Sequence, residues 1–184
     1  MTDLTSDLAT LLVRFAFGVV ILFFLLRFLL GLVRANPGNP LSQSVLVLTN
    51  PILLPLRAIL PSFGRFDTAA FVIVIGLKVI EIFLLLMILG GEASLSQVII
   101  VALVLLARLI VWIFLISLII EVVLSWFAAS GGPPNPIGRL ANDLNRPLLG
   151  PIRKIIPNAG MFDFSPMIAL LVLYVLLTIL SHIA

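Results

Sequence analysis

Four long blocks of apolar residues alternate with short polar stretches along the chain. They cover Leu8–Val33, Ala69–Leu89, Leu95–Phe127 and Pro166–Ile183. Each reaches roughly the 18 residues that mark a bilayer-spanning segment. In lipid an isolated strand cannot satisfy its backbone, and the two-residue alternation of a membrane barrel is absent, so all four blocks are predicted to be helices. The predicted fold is all-α, a polytopic membrane protein with four transmembrane helices.

The polar connections contain a repeat that relates the two halves of the chain. Residues 51–67 align without a gap onto residues 147–163, an offset of 96 (147 minus 51), and nine of the seventeen positions are identical. We therefore predict two tandem copies, residues 1–89 and 95–184, joined by a short hairpin at 90–94. The repeated motif residues are Pro51, Pro55, Arg57, Pro61, Gly64 and Asp67, matched by Pro147, Pro151, Arg153, Pro157, Gly160 and Asp163.

Each connection is predicted to contain short amphipathic helices. Apolar residues recur at helical spacing between Ile137 and Leu148, which is typical of a helix lying in the membrane interface. Proline lacks a backbone N–H, so Pro147 and Pro151 predict bends, followed by a second short helix that stops at Pro157.

The connection is also predicted to end in a tight turn back into the membrane. Gly64 and Gly160 are expected to supply a positive φ for that turn. Asp67 and Asp163 are expected to be N-caps of the helices that follow.

The charges predict an orientation and exclude several classes of protein. Of the 184 residues, 62% are hydrophobic and 10% charged, and the eleven Lys and Arg residues are dispersed without a basic run, so nucleic acid is not an expected partner. Both long connections carry basic residues, whereas the hairpin and the C-terminus carry none. The positive-inside rule therefore places the connections in the cytoplasm and both termini outside. Two spans per copy keep the copies parallel. With no Cys, disulfides and thiolate metal sites are excluded.

Five ionisable residues lie within the apolar blocks, where burial of a charge is costly. We predict ion pairs that fix helix register: Arg27 with Glu121 across the two copies, and Glu81 with either Lys78 or Arg108. An ion or proton pathway is the alternative. The five residues are Arg27, Lys78, Glu81, Arg108 and Glu121.

The repeated arginines allow two interpretations. The motif is either a structural corner, in which Arg57 and Arg153 pair with their own Asp67 and Asp163, or a shared basic site for anionic lipid head groups or an acidic protein partner. No Gly-rich phosphate loop, nucleophile triad or paired-carboxylate site is found, so no enzymatic activity, metal or cofactor is expected.

These motifs resemble the YggT (YlmG) family of bacterial and plastid membrane proteins. The resemblance rests on the doubled Asn-Pro, the Pro-x3-Pro-x-Arg-x3-Pro-x2-Gly-x-Phe-Asp motif and the ending Phe162-Asp-Phe-Ser-Pro-Met, and it covers nearly the whole chain. It implies a multi-pass protein of the bacterial inner membrane without established enzymatic activity. Bacterial relatives are associated with cell-division gene neighbourhoods and osmotic stress tolerance, and plastid relatives with cytochrome b6 haem maturation and nucleoid distribution.

The resemblance and the residues together give one leading hypothesis and two alternatives. The leading hypothesis is a non-enzymatic membrane scaffold or assembly factor with an unknown membrane or cytoplasmic protein partner. An ion transport or channel-related protein is the first alternative, and a haem or cytochrome maturation factor is the second.

Overall fold

The chain folds into a bundle of helices, as the apolar blocks predict. The computed structural model describes residues 4–129, 131–133, 135–155 and 163–183. Within those ranges the all-α prediction is confirmed, with six helices in chain order: α1 (Leu4–Val33), α2 (Pro40–Ile59), α3 (Thr68–Leu89), α4 (Leu95–Ala129), α5 (Pro136–Ile155) and α6 (Ser165–Ser181).

Three of these helices, α1, α3 and α4, are long and apolar enough to cross a membrane. At 35 residues, α4 extends about 50 Å at 1.5 Å per residue, well beyond the roughly 30 Å of a hydrocarbon core. The last apolar block forms α6, which is apolar but has only 17 residues.

The helices pack as two groups around two apolar cores. The larger core is built by α1, α2 and α3, with Leu106 and Ile113 of α4 reaching into it. The smaller core joins α4, α5 and α6 around Leu118 and Leu149. Fully buried alanines, such as Ala69 and Ala169, allow neighbouring backbones to approach closely, as is usual between membrane helices.

The prediction that the motif prolines separate two short helices is wrong, because α2 and α5 each continue as one helix through two prolines. In α2, Pro51 and Pro55 lie on the exposed face, together with Val47. Val47 is four residues before Pro51, so its carbonyl is the one that Pro51 leaves without a hydrogen-bond donor. Leu53, on the other face, is fully buried. The carbonyls that lose their N–H partners therefore face outward, where solvent or lipid head groups can satisfy them, and packing holds the helix together.

The turn at the end of the first connection is as predicted. Gly64 has a φ of 62°, and the Asp67 side chain caps α3 by accepting a hydrogen bond from the N–H of Ala70. In the second connection, Asp163 lies one residue before the N-cap of α6, so the N-cap prediction is one residue off there, and it accepts a 2.9 Å hydrogen bond from the N–H of Ser165. The corresponding Gly160 and Pro157 lie outside the described residues.

Candidate functional site

An Arg–Asp ion pair closes each connection. Arg57 Nη2 pairs with Asp67 Oδ2, and Arg153 Nε donates to Asp163 Oδ2 at 2.9 Å. Each pair joins residues ten apart, so it ties the C-terminal end of one helix to the start of the next. Each repeated arginine thus contacts the aspartate of its own motif, which is the pairing that the structural-corner interpretation predicts.

Both carboxylates are stabilised in their charged form. Burial alone would raise the pKa of Asp67, but hydrogen bonds from Arg57 and Ala70 and the positive charges of Arg57 and Arg27 outweigh it and lower the pKa. Burial is likewise outweighed at Asp163, whose pKa is lowered by hydrogen bonds from Ser165 and Arg153. A lowered folded pKa contributes stability above the unfolded value of about 3.9, and this stability is lost as pH falls through the folded pKa.

Each Arg–Asp pair is here called a corner. A third charged residue acts on each corner, and the sign of its charge differs between the two corners. The positive charge of Arg27 acts on the Arg57–Asp67 pair. At the other corner, Arg153 Nη2 lies 4.0 Å from the carboxylate of Glu121. Arg27 and Glu121 form no ion pair with each other, so that prediction is wrong. The equal depth expected from the sequence did not make them neighbours, because α1 packs mainly against α3 and α2 whereas α4 packs mainly against α5 and α6.

Of the remaining charged residues within the helices, Glu81 pairs with a residue of its own helix. Lys78 Nζ lies 2.8 Å from Glu81 Oε2, three residues along the same face of α3. Among the described residues Glu81 has no ion pair with Arg108, which is half-buried in α4. The alternative pairing of Glu81 with Lys78 is confirmed, and the pairing with Arg108 is wrong.

A buried polar network that the sequence analysis missed joins α4 to α5. Asn145 is fully buried; its Nδ2 donates to Glu121 Oε2 at 2.7 Å, and its Oδ1 accepts from Ser117 Oγ at 2.7 Å. Asn142 Nδ2 donates to the other Glu121 oxygen at 2.9 Å. The signal was present in the sequence, since Asn145 falls on the same helical face as the apolar Leu149.

The two Asn-Pro segments meet directly. Asn39 Nδ2 donates to the carbonyl of Pro136 at 2.8 Å, and the N–H of Asn36 donates to Asp143 Oδ2 at 2.9 Å. These contacts hold the start of α2 against the start of α5. None of the motif residues predicted from the sequence takes part in them.

A cavity of about 1120 Å³ lies beside this contact and is here called the connection groove. The end of α4 contributes Glu121 to the lining together with the apolar Leu124, Phe127 and Ala128. Helix α5 adds polar residues of both charge signs, namely Arg139, Asn142, Asp143 and Arg153. In the described ranges no cluster of three or more His, Asp or Glu side chains could hold a metal ion.

Comparison with known proteins decides the family. A sequence profile of the CCB3/YggT family matches residues 6–88 and, separately, residues 100–184. The chain belongs to the CCB3/YggT family. The resemblance inferred from the proline, arginine and glycine motif is thereby confirmed.

Members of the CCB3/YggT family from several bacteria are similar to this chain over most of their length. An uncharacterized protein of Pseudomonas aeruginosa, PA0392, is 40% identical over 85% of this chain and 79% of its own length. The YggT protein of Escherichia coli K12, also uncharacterized, is 33% identical over 83% of this chain and 78% of its own. A Haemophilus influenzae protein is 31% identical over 81% and 78%. No solved structure matches the chain.

Proposed function

We propose that this CCB3/YggT-family protein is a non-enzymatic scaffold or assembly factor of the bacterial inner membrane, and that its connection groove holds a segment of another membrane protein. The observation that supports this proposal is the size of the groove. Its volume of about 1120 Å³ exceeds the roughly 300–1000 Å³ of typical small-molecule pockets, so it has room for a stretch of polypeptide.

The lining of the groove indicates the chemistry of that segment. Glu121 and Asp143 offer carboxylates, Arg139 and Arg153 offer guanidinium groups, and Phe127 lies exposed in the same lining. A segment that carries acidic, basic and apolar side chains complements this lining. Such segments flank transmembrane helices, where polar connections meet the bilayer.

The proposal includes a topology in which α1, α3, α4 and α6 all cross the bilayer as two parallel copies. Two observations support it. The family profile matches the chain twice, and α2 and α5 begin 96 residues apart (136 minus 40) and end 96 residues apart (155 minus 59), the offset of the sequence repeat. The basic connections and the groove then face the cytoplasm, and both termini lie outside.

Cysteine labelling tests this orientation, because the chain has no cysteine of its own. Ser62→Cys lies in the exposed end of the first connection and Ala93→Cys in the exposed hairpin. In intact cells with a permeabilised outer membrane, a membrane-impermeant maleimide is expected to label the cysteine at 93 and leave the cysteine at 62 unlabelled until the inner membrane is opened. The reverse pattern would overturn the orientation.

Photo-crosslinking from within the groove tests the scaffold role. Phe127 is 65% exposed and lines the groove, and Phe15 on α1 is 70% exposed with no place in it. Benzoylphenylalanine at position 127, in living cells, is expected to capture one membrane protein that the same residue at position 15 does not capture. Arg139→Gln should reduce that crosslink severalfold, since it removes a guanidinium group from the lining of the groove.

The crosslinking result separates specific docking from random contact. Two outcomes contradict the proposal: the same proteins captured from positions 127 and 15, or a crosslink whose yield Arg139→Gln leaves unchanged. Capture of lipid alone from position 127 also contradicts it, because a groove that is open to the bilayer would not need a protein partner.

A further inference from the structure

A second, smaller cavity lies where α1 ends and α2 begins, separate from the connection groove. It has a volume of about 150 Å³, and Arg27, Arg34 and Ser42 contribute the polar part of its lining. This is about ten times the roughly 15 Å³ that a single water requires. The cavity can therefore hold a small tetrahedral oxyanion with its oxygens close to the walls.

Two residues that line this cavity each carry a buried polar atom without a partner. Ser42 is only 4% exposed, and its Oγ is buried without a hydrogen bond. Arg27 Nε is also buried without a hydrogen bond. Buried polar side-chain atoms in folded proteins are nearly always hydrogen-bonded. Two unpaired groups on residues that line the same small cavity indicate that a polar ligand belongs there.

The charge at this cavity specifies an anion. Two of its lining residues are arginines and none is acidic. The charge of Asp67 interacts with that of Arg27, but the Asp67 carboxylate makes its ion pair with Arg57 and its hydrogen bond with the N–H of Ala70. In the described part of the chain Arg27 therefore lacks a carboxylate within ion-pair distance. Arg27 is half-buried, and a guanidinium that is partly removed from solvent without a counter-ion carries a desolvation cost that an anion would offset.

The start of α2 adds to this positive potential. Asn39 caps the helix, and Ser42 is its third residue, so the N–H of Ser42 lies among those with no carbonyl partner inside the helix. Helix N-termini carry a partial positive charge and commonly bind phosphate groups. The buried, unpaired Ser42 hydroxyl distinguishes this helix start from an ordinary one.

The backbone at Arg34 supports the same conclusion. Arg34 follows the last residue of α1 with a φ of 56°, the left-handed region where glycine is the usual residue after a helix. An arginine at this position strains the backbone where glycine would not. Arg34 is at the same time one of the residues that line the cavity.

We propose that this cavity binds a phosphate group, carried by the head group of an anionic phospholipid or present as free phosphate. The guanidinium groups of Arg27 and Arg34 balance its charge, and Ser42 donates through its hydroxyl and backbone N–H. At the repeat offset of 96, Arg27 and Ser42 correspond to Val123 and Gly138, so only the first half of the chain has the site. It shares no residue with the connection groove and does not depend on the scaffold role.

Native mass spectrometry of the purified full-length protein tests the site. Phosphatidylglycerol is expected to remain bound with a distinctly higher affinity than phosphatidylcholine, whose positively charged choline is repelled by the arginines. Arg27→Gln should weaken phosphatidylglycerol binding by about tenfold, as expected for the loss of one charge-assisted hydrogen bond. Ser42→Ala should weaken it severalfold. Arg65→Gln removes the same charge from an exposed turn and should leave binding unchanged.

Competition by inorganic phosphate then identifies the source of the phosphate group. Loss of bound phosphatidylglycerol on adding phosphate shows that the cavity takes free phosphate, and retention shows that it takes the lipid head group; both support the site. Wild-type binding by correctly folded Arg27→Gln and Ser42→Ala variants would overturn it, as would an equal loss in Arg65→Gln. Should Arg27→Gln fail to fold, Ser42→Ala and Arg34→Gln decide the question in the same way.

Discussion

Replacement of Asn145 by leucine is expected to destabilise the protein by about 2–4 kcal/mol. Asn145 is fully buried between α4 and α5, where it donates to Glu121 and accepts from Ser117. Leucine has a similar volume but leaves Glu121 Oε2 without the amide that donates to it, and an unpaired buried group costs about 1–3 kcal/mol, more when it is charged. The Ser117 hydroxyl keeps the carbonyl of Phe114, 3.0 Å away, as its acceptor. Equilibrium unfolding in a mixed detergent system, followed by circular dichroism, measures the change.

Asn142→Leu is the matched control, because Asn142 donates to the same carboxylate but is exposed to solvent. Water can replace its hydrogen bond, so we expect a loss of about 1 kcal/mol or less. The double variant Asn145→Leu with Glu121→Leu should lose less than the sum of the two single losses, since neither group is then left alone. Equal losses of stability in Asn145→Leu and Asn142→Leu would show that burial of the network does not contribute to the stability of the protein.

Replacement of Asp67 by alanine is expected to cost about 2–4 kcal/mol of stability at neutral pH. The change removes the N-cap of α3, which is worth about 0.5–2 kcal/mol, and leaves Arg57 and Arg27 near each other without a carboxylate between them. Because the wild-type carboxylate has a lowered pKa, the difference between the two proteins should shrink as pH falls below about 4.

The corresponding change at the second corner, Asp163→Ala, provides the comparison. The Asp163 side chain is 33% exposed, and Arg153 keeps the carboxylate of Glu121 at 4.0 Å, so solvent and a second partner reduce the loss. We expect about 1 kcal/mol or less. Charge balance does not explain the stability of the first corner if Asp67→Ala and Asp163→Ala lower the free energy of unfolding equally. The same holds if the effect of Asp67→Ala is constant with pH.

Local features of the fold could be predicted from the sequence, and features that depend on packing could not. The apolar blocks became helices, Gly64 adopted its positive φ, and Asp67 capped the helix that follows, because each depends on residues within a few positions. The continuity of α2 through Pro51 and Pro55 could not be predicted, since the exposure of the carbonyls freed by those prolines depends on which face packs.

The partners of the buried charges illustrate the same limit. Lys78 and Glu81 are three residues apart on one helix, and helical geometry alone brings them together. For Arg27 and Glu121 the sequence gives a depth in the membrane but no neighbour. The charged groups around each of them follow from the packing of α1 on α3 and α2 and of α4 on α5 and α6, and the connection groove also depends on how the helices pack.

The two corners have a consequence for how the molecule sits among its neighbours in the bilayer. The first contains Arg27, Arg57 and Asp67, which sum to one positive charge, and the second contains Glu121, Arg153 and Asp163, which sum to one negative charge. The two halves as a whole do not differ in this way, since residues 1–89 carry six basic and four acidic residues and residues 95–184 carry five basic and three acidic ones, a net charge of +2 each. The opposite signs are therefore confined to the corners, and a charged group of a neighbouring protein would distinguish one corner from the other rather than one half from the other.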